Sequence, residues 1–447
     1  MLEQIRGLVK DKKVLILGFG KEGRSTYAYL QKAGGWAKLG IADQNSVNPK
    51  DVDAELICGD GYQSAIADYD VVFKSPGIVL ERQDAQTLGK ITSQTEQFMR
   101  RFGAQTIGIT GTKGKSTTAS VLYHILHSSA QDCMLIGNIG VPALDMADRV
   151  GAQTRVVYEL SCHQLEYTKY SPHIAVLLNL FPEHLDHYGT YEKYAAAKQN
   201  IYRHQQAGDL LICNVRDVPP AGTCPAQICT VSFEEETADV YVTENSQIRM
   251  DGKVLDFSQG LPHLVGRHNL YNVGVAYVAS RALNVPESMF LKAVQSYQSL
   301  PHRLEFLGER GGVRYYDDSI STIPETAIQA LQALSGVGTL LLGGMDRGIS
   351  YEPLLDFLAD YPLDNLIFLP KTGHEMYETI QQTRAQAFAD KTLVCAEDLR
   401  GAVAQAKRLT RPGAICLLSP AAASYGFFKN FEQRGEYFKK YVFETEE

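Results

Sequence analysis

Long apolar runs, paired cysteines and an excess of basic charge are all missing from this 447-residue chain. No stretch of about 20 consecutive apolar residues occurs, so the sequence predicts no membrane insertion. The formal charge of -8 at pH 7 gives no support for nucleic-acid binding. The N-terminal residues lack a secretory pattern and lead quickly into an apolar run. We therefore expect a cytoplasmic protein without nucleic-acid partners. A monomer is also expected, although none of these features bears on the oligomeric state.

The eight cysteines are scattered, and none belongs to a Cys-x-x-Cys pair. Cys224 and Cys229 lie closest together, but proline and apolar residues surround them and no histidine is near. Such spacing matches neither a disulfide framework nor a zinc motif. Reduced structural thiols are the better interpretation.

Short apolar runs alternate with helical patterns along the chain, which is typical of parallel α/β sheets. The length favours about three domains. We predict an α/β fold with a Rossmann-like N-terminal domain at 1–97. A central P-loop ATPase domain with a mainly parallel sheet follows at 98–300, and a second Rossmann-like domain at 301–447.

A glycine-rich segment at 108–117, Gly-Ile-Thr-Gly-Thr-Lys-Gly-Lys-Ser-Thr, lies between a predicted strand and a predicted helix. Backbone N–H groups and the helix start can receive phosphate there, Lys115 can neutralise phosphate charge, and the Ser116 hydroxyl can bind Mg²⁺. The interval before Gly114 is one residue longer than the general P-loop pattern, so this is a variant loop. A turn without a ligand is the alternative. The predicted ATP-binding residues of the loop are Gly111, Thr112, Lys113, Gly114, Lys115, Ser116 and Thr117.

Polar residues follow two further apolar runs. Glu159 ends one of them, and the segment 179–187, which contains His184, follows the other. Ligands of open α/β sheets gather at the carboxyl ends of strands, so Glu159 could hold a Mg²⁺ ion bound with nucleotide. Read alone, the polar segment is more typical of a solvated loop. Lys198, alone on a predicted helix, is likewise expected to be solvated.

Together these segments resemble the Mur ligases of peptidoglycan synthesis, over essentially the whole chain. The marks of the resemblance are the loop at 108–117, Gly-Asn-Ile-Gly at 137–140, Glu-Leu-Ser-Cys-His-Gln-Leu-Glu at 159–166, Asn-Leu-Phe-Pro-Glu-His-Leu-Asp-His at 179–187, Lys198, Gly-Arg-His-Asn-Leu-Tyr-Asn at 266–272, Leu-Pro-His-Arg-Leu-Glu at 300–305 and Asp-Asp-Ser at 317–319. Two further segments, 418–424 and 428–435, resemble the branch of the family that adds D-glutamate to UDP-N-acetylmuramoyl-L-alanine.

The resemblance implies roles that spacing does not show. Lys198 matches a carbamylated lysine that helps His184 to hold a second Mg²⁺, while Ser116 and Glu159 match the first of two Mg²⁺ sites. Lys115, His184 and Lys198 are the implied catalytic residues. Further implied ATP contacts are Asn269, Asn272, Arg303 and Asp318. Asn138 matches a contact to the muramoyl substrate. The implied D-glutamate pocket contains Thr322, Ser424 and the backbone at Phe431.

Two departures affect the substrate pocket. Ile320 stands where the family commonly has a lysine, which removes a positive charge near the expected glutamate site. We expect Arg347 to supply the missing carboxylate clamp, because its planar guanidinium can bind a carboxylate through two hydrogen bonds. Lys113 stands where asparagine is usual.

The glycine cluster Gly18-x-Gly20-x-x-Gly23, with Asp43 twenty residues on, matches a dinucleotide fingerprint by spacing. Taken alone it suggests NAD. In the family the corresponding domain binds the uridine diphosphate of the sugar substrate, and the same backbone geometry serves either diphosphate. We favour the UDP-sugar, with further contacts from Ser75 and Gly77.

The predicted reaction is ATP-dependent ligation of D-glutamate to UDP-N-acetylmuramoyl-L-alanine through an acyl phosphate, with ATP and Mg²⁺ as cofactors. Another Mur-type or folylpolyglutamate-type amide ligase, with a different acceptor, is the main alternative. An NAD oxidoreductase and a non-catalytic nucleotide-binding protein are the others.

Overall fold

The computed structural model describes residues 1–138, 141–261, 263–264 and 266–444, and the side chain of Asp186 lies outside the description. Within these residues three α/β sheets form. Two compact units contain them: Met1–Gly260 with Arg267–Ser296, and Leu261–Gly266 with Tyr297–Glu447. The first two sheets belong to the first unit and the third sheet to the second. This confirms the predicted α/β class, while the proposed boundaries after residues 97 and 300 remain a prediction.

The first sheet is parallel, with the order β3-β2-β1-β4-β5. This is a Rossmann-like order, in which the chain changes direction across the sheet beside β1. Its strands are β1 (Lys13–Leu17), β2 (Lys38–Asp43), β3 (Glu55–Cys58), β4 (Val71–Lys74) and β5 (Ile91–Thr92). Its helices are α1 (Leu2–Val9), α2 (Lys21–Ala33), α3 (Ala85–Lys90) and α4 (Gln94–Phe102).

The second sheet has the order β14-β13-β12-β11-β10-β9-β6-β8-β7. Its pairs are parallel from β7 to β12, and β13 is antiparallel to both of its neighbours, β12 and β14. The strands are β6 (Thr106–Thr110), β7 (Cys133–Gly137), β8 (Arg155–Glu159), β9 (Ile174–Leu177), β10 (Leu210–Asn214), β11 (Gln227–Ser232), β12 (Val240–Val242), β13 (Gln247–Met250) and β14 (Lys253–Asp256). The helices are α5 (Lys115–Ser128), α6 (Ala143–Met146), α7 (Cys162–Leu165), α8 (Leu185–Tyr188), α9 (Tyr191–Arg203), α10 (Arg267–Ala282) and α11 (Glu287–Ser296).

One apolar cluster joins the first two sheets. It runs from Ile16 and Phe73 of the first sheet, through Phe98 of α4, to Tyr158 of β8. The rings of Phe98 and Tyr158 meet edge to face at 5.6 Å. Because shared apolar burial opposes separation, the carboxyl ends of β1 and β8 are held in one framework.

The third sheet has the order β15-β16-β20-β17-β18-β19, with β15 antiparallel to β16 and the other pairs parallel. Its strands are β15 (Glu305–Arg310), β16 (Val313–Asp317), β17 (Val337–Leu342), β18 (Asn365–Phe368), β19 (Thr392–Cys395) and β20 (Ile415–Leu418). Its helices are α12 (Pro324–Ala333), α13 (Glu352–Asp360), α14 (Thr372–Thr379), α15 (Leu399–Leu409) and α16 (Phe431–Phe443). Nowhere in the described ranges is a helix both long and apolar enough to cross a membrane.

Candidate active site

The glycine-rich loop connects β6 to α5, as the sequence predicts. Gly111 and Gly114 have φ values of +154° and +86°, which residues other than glycine rarely adopt. A Cβ atom on Gly114 would lie 2.7 Å from Oδ1 of Asn272. Asn272 Nδ2 in turn donates a hydrogen bond to Asn269 Oδ1 at 3.3 Å. The loop therefore depends on glycine at Gly114 for both conformation and space.

Two lysines converge on one carbonyl of this loop. Lys115 Nζ donates to the carbonyl oxygens of Gly111 and Thr112 at 2.9 and 2.8 Å, and Lys198 Nζ donates to Gly111 O at 2.8 Å. Lys198 is only 1% exposed, so the expectation that it is solvated is wrong. Burial lowers the pKa of both lysines, and with the added repulsion from Lys115 it lowers the pKa of Lys198 to about 7.

Glu159 provides a carboxylate at the end of β8. Its side chain is fully buried, and Oε1 accepts a hydrogen bond from Asn138 Nδ2 at 2.8 Å. Among the described residues, Oε2 has no hydrogen-bond partner. An unsatisfied buried carboxylate oxygen is costly, so its environment is suited to completion by a cation. Ser116, the other residue predicted for this metal, is buried in the first turn of α5.

Lys113 and the segment after β9 hold each other in place. The backbone N–H of Lys113 donates to Asn179 Oδ1 at 2.8 Å, and Asn179 Nδ2 donates to Lys113 O at 3.1 Å. Lys113 Nζ forms an ion pair with Glu183 Oε1 at 3.0 Å. Although burial alone would raise the pKa of Glu183, the charge of Lys113 brings it below its usual value. Lys113 therefore anchors the segment that carries His184.

Three histidine rings lie close together at this segment. His163 lies 5.0 Å from the ring of His184 and 4.4 Å from the ring of His187, measured between centroids. Burial, with repulsion from the other two histidines, lowers the pKa of His163 to about 4, so this imidazole is neutral near pH 7. His187 Nε2 lies 3.3 Å from Glu166 Oε2, and the same oxygen is 3.7 Å from Lys74 Nζ.

The first glycine cluster also brings its predicted residues together. Ser75 Oγ donates to Gly18 O at 2.7 Å, and the Phe19 N–H donates to Asp43 Oδ2 at 2.6 Å. Gly23 packs so closely on Gly18 that a Cβ atom would collide with the Gly18 carbonyl oxygen. A Cβ atom added to Gly20 or Gly77 would meet no other atom within 4 Å. Asn138, predicted with this group, instead bonds to Glu159, and Ile139 and Gly140 of its motif lie outside the described residues.

The second unit contains its own polar centre. Asp318 is 3% exposed, and its oxygens accept from Ser321 Oγ at 2.5 Å, Ser419 Oγ at 2.8 Å and the Leu304 N–H at 3.2 Å. Burial outweighs these bonds and raises the pKa of Asp318 to about 7. The carboxyl group of Asp318 is thus buried and hydrogen-bonded by the protein itself.

Arg434, which sequence reasoning missed, lies buried beside this centre. Its guanidinium donates to Ser319 Oγ and Ser319 O at 2.9 and 2.8 Å and to Ala422 O at 2.9 Å. Ser319 Oγ also donates to Phe431 O at 2.9 Å. A cavity of about 190 Å³ adjoins Arg434 and the predicted residue Ser424.

The other residues predicted for the second unit are less enclosed. Arg347 is exposed, on a loop joined to the Ser424 segment by the bridge between Met345 and Ala423. Thr322 and Arg303 are partly buried, and Arg303 Nε has no hydrogen-bond partner in the part of the chain that the structure describes. No direct contact links Arg347 to Asp318 among the hydrogen bonds and ion pairs of the described residues.

Comparison with known proteins identifies the family. Residues 109–280 match the Mur ligase middle domain. The UDP-N-acetylmuramoylalanine–D-glutamate ligase of Clostridium acetobutylicum is 31% identical over 455 residues, which cover 97% of each chain. The chain belongs to the Mur ligase family. The ligase of the same name from Clostridium botulinum is 30% identical, over 98% of each chain.

Solved Mur ligases share the fold at lower identity. The MurF ligase of Thermotoga maritima, in complex with ADP, has a TM-score of 0.58 and 17% identity, covering 98% of this chain and 96% of that one. The UDP-N-acetylmuramate–alanine ligase MurC of the same organism has a TM-score of 0.57 and 16% identity, over 96% and 98% of the two chains. These likenesses confirm the three-domain Mur ligase fold.

Within this Mur ligase, the structure gathers one group of predicted residues tightly. Lys115, Lys198, Glu159 and Asn138 meet around the loop at Gly111. Sequence reasoning missed the neighbours of this group, which are Cys162, His163, Glu166 and Lys74. The signal was present in the segment 159–166, where a cysteine, a histidine and a glutamate follow Glu159 within seven residues.

Proposed function

We propose that this Mur ligase joins D-glutamate to the L-alanyl carboxyl group of UDP-N-acetylmuramoyl-L-alanine. Membership of the family makes it an ATP-dependent ligase of peptidoglycan synthesis. The observation that carries the choice of acceptor is identity of 30–31% over nearly the full length to ligases named for D-glutamate. The proposal includes a monomer acting in the cytoplasm, to be tested by light scattering and cell fractionation.

ATP is needed because a carboxylate is a poor electrophile. In the proposed reaction the substrate carboxylate attacks the γ-phosphate, ADP leaves, and an acyl phosphate forms. The D-glutamate amine then attacks the activated carbonyl, phosphate leaves and the amine loses a proton. The ammonium of Lys115, held over the loop by two carbonyl oxygens, lies where it can stabilise charge on a phosphoryl group.

Two Mg²⁺ ions are part of the proposal, and the donor atoms present fit the first of them. Glu159 Oε2 is a buried anionic oxygen without a partner among the described residues, and Ser116 stands at the helix start of the same loop. Oxygen ligands of this kind suit Mg²⁺, which would neutralise charge on the transferring phosphoryl group. His184 and a carbamylated Lys198 are the proposed protein ligands of the second ion.

Carbamylation of Lys198 is supported by the charges around it. Two buried ammonium groups, of Lys115 and Lys198, share the carbonyl oxygen of Gly111, so a neutral Lys198 relieves repulsion. A neutral amine can attack CO₂, and loss of one proton then leaves an anionic carbamate. The same carbamate would turn a repulsive neighbour of Lys115 into an attractive one and would supply an oxygen ligand for metal.

Replacement of Lys198 tests this role. We expect Lys198→Ala to lose turnover and to recover part of it when a short carboxylic acid is added, because the acid restores an anionic oxygen. Lys193→Ala, an exposed lysine on the same helix α9, is the matched control and should neither lose turnover nor respond to the acid. Full turnover by Lys198→Ala would refute the role.

The UDP group of the sugar substrate is proposed to bind the first sheet, in a domain bounded by residues 1 and 97. The bonds from Ser75 to Gly18 O and from the Phe19 N–H to Asp43 close the turn at the carboxyl end of β1, with open space at Gly20 and Gly77. Asn138, beside Glu159, is proposed to contact the muramoyl part. The central domain would span 98–300 and the amino-acid-binding domain 301–447.

In the second unit, D-glutamate is proposed to contact Thr322, Arg347, Ser424 and the backbone of Phe431. The carbonyl of Phe431 already accepts from Ser319 Oγ. Its N–H belongs to the first turn of α16, where helical N–H groups lack acceptors within the helix and can bind a carboxylate. Arg347, exposed on its loop, would supply the cation that Ile320 does not. Arg303 and Asp318 of this unit, with Asn269 and Asn272 of the first, are the proposed ATP contacts beyond the loop.

Acceptor-dependent release of ADP tests the assignment. With UDP-N-acetylmuramoyl-L-alanine and ATP present, we expect D-glutamate to support release and L-glutamate, meso-diaminopimelate and D-alanyl-D-alanine to fail. Support by another amino acid would favour another Mur-type ligase, and support by a folate with L-glutamate would favour a folylpolyglutamate-type ligase. Transfer of ¹⁸O from a labelled substrate carboxyl to released phosphate tests the acyl phosphate, and its absence excludes that route.

A further inference from the structure

Two neighbouring potential metal ligands, Cys162 and His163, meet the distant His184 beside the phosphate loop. Cys162 and His163 begin α7, and His184 immediately precedes α8. One ligand atom from each of the three lies within 4.8 Å of the others. Cys162 is buried, His163 is partly buried and His184 is exposed, so the group opens to solvent on one side. The spacing of the cysteines gave no hint of metal binding, because His184 comes close to Cys162 and His163 only through the fold.

We propose that Cys162, His163 and His184 form a binding site for a transition-metal ion of the Zn²⁺ class. One thiolate and two imidazoles are a soft ligand set, which favours Zn²⁺ over Mg²⁺ or Ca²⁺. In a tetrahedral site, Zn–S of about 2.3 Å and Zn–N of about 2.0–2.1 Å place ligand atoms roughly 3.3–3.6 Å apart. Binding of the ion requires side-chain rotations that bring the ligand atoms to that distance, with a fourth position left for water.

Neighbouring contacts orient the proposed ligands. The ring of Tyr188 stacks on His163 at 5.6 Å with an interplanar angle of 6°, and its hydroxyl lies 3.3 Å from His163 Nδ1. This contact occupies Nδ1 and leaves Nε2 as the ring nitrogen for metal, which is how outer hydrogen bonds commonly fix a histidine ligand. Cys162 packs with Tyr188 and Tyr194 in a small apolar cluster, so its sulfur position is restricted.

The types of ligand atom distinguish this site from a second candidate group. His302, Glu305 and Asp317 in the second unit also offer ligand atoms within 4.8 Å of one another. That group supplies two carboxylates and no sulfur, and His302 Nδ1 is already 2.7 Å from Asp317 Oδ2. A thiolate signature in the metal spectrum therefore distinguishes the first group from the second.

Occupation of this site would inhibit the ligase, a consequence that rests on the proposed function. His184 is shared between the soft group and the proposed second Mg²⁺ site. A Zn²⁺ ion that takes His184 together with Cys162 withholds it from Mg²⁺, and the Cys162 thiol releases its proton to solvent on binding. Excess Zn²⁺ would thus stop peptide ligation even when Mg²⁺ is abundant.

Metal binding is tested first, without reference to activity. Full-length protein, freed of metal by dialysis against chelator, is titrated with Co²⁺ as a spectroscopic substitute for Zn²⁺. We expect one equivalent to give thiolate-to-metal charge-transfer absorption, which Zn²⁺ then displaces. Cys162→Ser should abolish that absorption and weaken Zn²⁺ binding by at least about tenfold, because losing a ligand costs no less than losing an outer contact.

The control is Cys229→Ser, a buried cysteine of β11 in the same unit, which should bind Co²⁺ and Zn²⁺ like the wild type. His163→Gln provides a second loss of ligand should Cys162→Ser fail to fold by circular dichroism. Binding without a thiolate signature, or equal binding by the wild type and both ligand variants, would overturn the proposal.

Inhibition is then measured as the Zn²⁺ concentration that halves D-glutamate-dependent ADP release at saturating Mg²⁺. We expect His163→Gln to need at least about tenfold more Zn²⁺ than the wild type. An active enzyme that binds Zn²⁺ at Cys162 without inhibition would overturn the regulatory part alone. A protein that binds Zn²⁺ there but ligates no amino acid would instead count against the proposed function.

Discussion

The two glycine-rich turns of the first unit share a position between a strand and a helix, but they differ in backbone conformation and in the charge enclosed beside them. Gly20 precedes α2 and Gly114 precedes α5, and each turn follows a strand of a parallel sheet. Helix α2 carries Glu22 in its first turn, whereas α5 begins at Lys115. Burial raises the pKa of the Glu22 carboxyl and lowers the pKa of the Lys115 ammonium. The two turns therefore enclose side chains of opposite charge sign.

The difference agrees with two kinds of phosphate chemistry. A diphosphate that is only bound can be held by backbone N–H groups at a helix start. A phosphoryl group in transfer develops charge that a preorganised cation stabilises. In the proposed reaction, Lys115, which donates to the carbonyl oxygen of Gly111, would supply that cation at the second turn. At the first turn, Glu22 Oε1 accepts from Gln164 Nε2 at 2.7 Å and so ties the turn to the segment after Glu159.

Lys115→Ala should have the largest effect on this contrast. We expect kcat to fall by about 10²–10³-fold, the cost of removing one preorganised donor from a developing charge. Lys21→Ala, which changes the equivalent first residue of α2, should leave kcat nearly unchanged. The measurement is steady-state ADP release with both variants. Comparable losses of kcat in the two variants would show that the turns do not differ in this way.

Gly23→Ala should damage the first turn selectively. A Cβ atom at this position collides with the Gly18 carbonyl oxygen, which belongs to backbone and cannot move aside cheaply. We expect a loss of about 1–3 kcal/mol in the free energy of unfolding, as for other overpacked sites. UDP-sugar binding, followed by calorimetry, should weaken while ATP binding is retained. Gly7→Ala in α1, where there is open space, is the control and should be neutral or stabilising.

Gly114→Ala and Gly20→Ala form a matched pair at the residue before each helix. Gly114 has φ of +86° and faces Asn272, so alanine there should cost about 1–2 kcal/mol of folding stability and weaken ATP binding. Gly20 has φ of -72° and open space around it, so alanine should cost less than about 1 kcal/mol. Urea unfolding gives both values. Equal destabilisation would contradict the distinction between the turns.

Both turns were accessible to sequence reasoning, because apolar runs, glycine spacing and helix starts are local features. The hairpin of β13 and β14 was also accessible and was missed. Asp251 and Gly252 both have positive φ, and Asp-Gly between two short alternating runs is a strong hairpin signal. The third sheet was anticipated from its apolar strands, of which β17 is buried throughout.

The site was harder to predict because burial of single polar side chains depends on distant segments. The local sequence around Lys198 predicts a solvated side chain, yet α9 packs close to Gly111 and buries it. The convergence of Cys162 with His184 has the same origin, since 22 positions of sequence separate residues whose ligand atoms lie within 4.8 Å. Arg434 was not predicted as a site residue, because arginine is rarely buried. Its burial is explained by the hydrogen bonds that it donates to the carbonyl oxygens of Ala422 and Ser319.

The smallest expected effect concerns Glu22 and the pH dependence of stability. Its pKa in the folded protein is raised above 4.5 by burial, despite hydrogen bonds from Gln164 and Gln94 and the charges of Lys74 and Lys21. The unfolded chain therefore loses this proton at lower pH than the folded chain. Consequently, the contribution of Glu22 is most favourable below pH 4.5 and declines as pH rises through the folded pKa.

Glu22→Gln removes that decline, because glutamine does not titrate and can still bond to Gln164. The variant should gain stability relative to wild type as pH is raised, by about 1.4 kcal/mol for each unit that separates the two pKa values. Urea unfolding at several pH values measures the difference, with the exposed Glu236→Gln as control. A constant difference between variant and wild type would mean that Glu22 is ionised equally in both states. Burial would then have no effect on the pKa of the Glu22 carboxyl. The two turns would differ only in the sign of the charge beside them, negative at Glu22 and positive at Lys115.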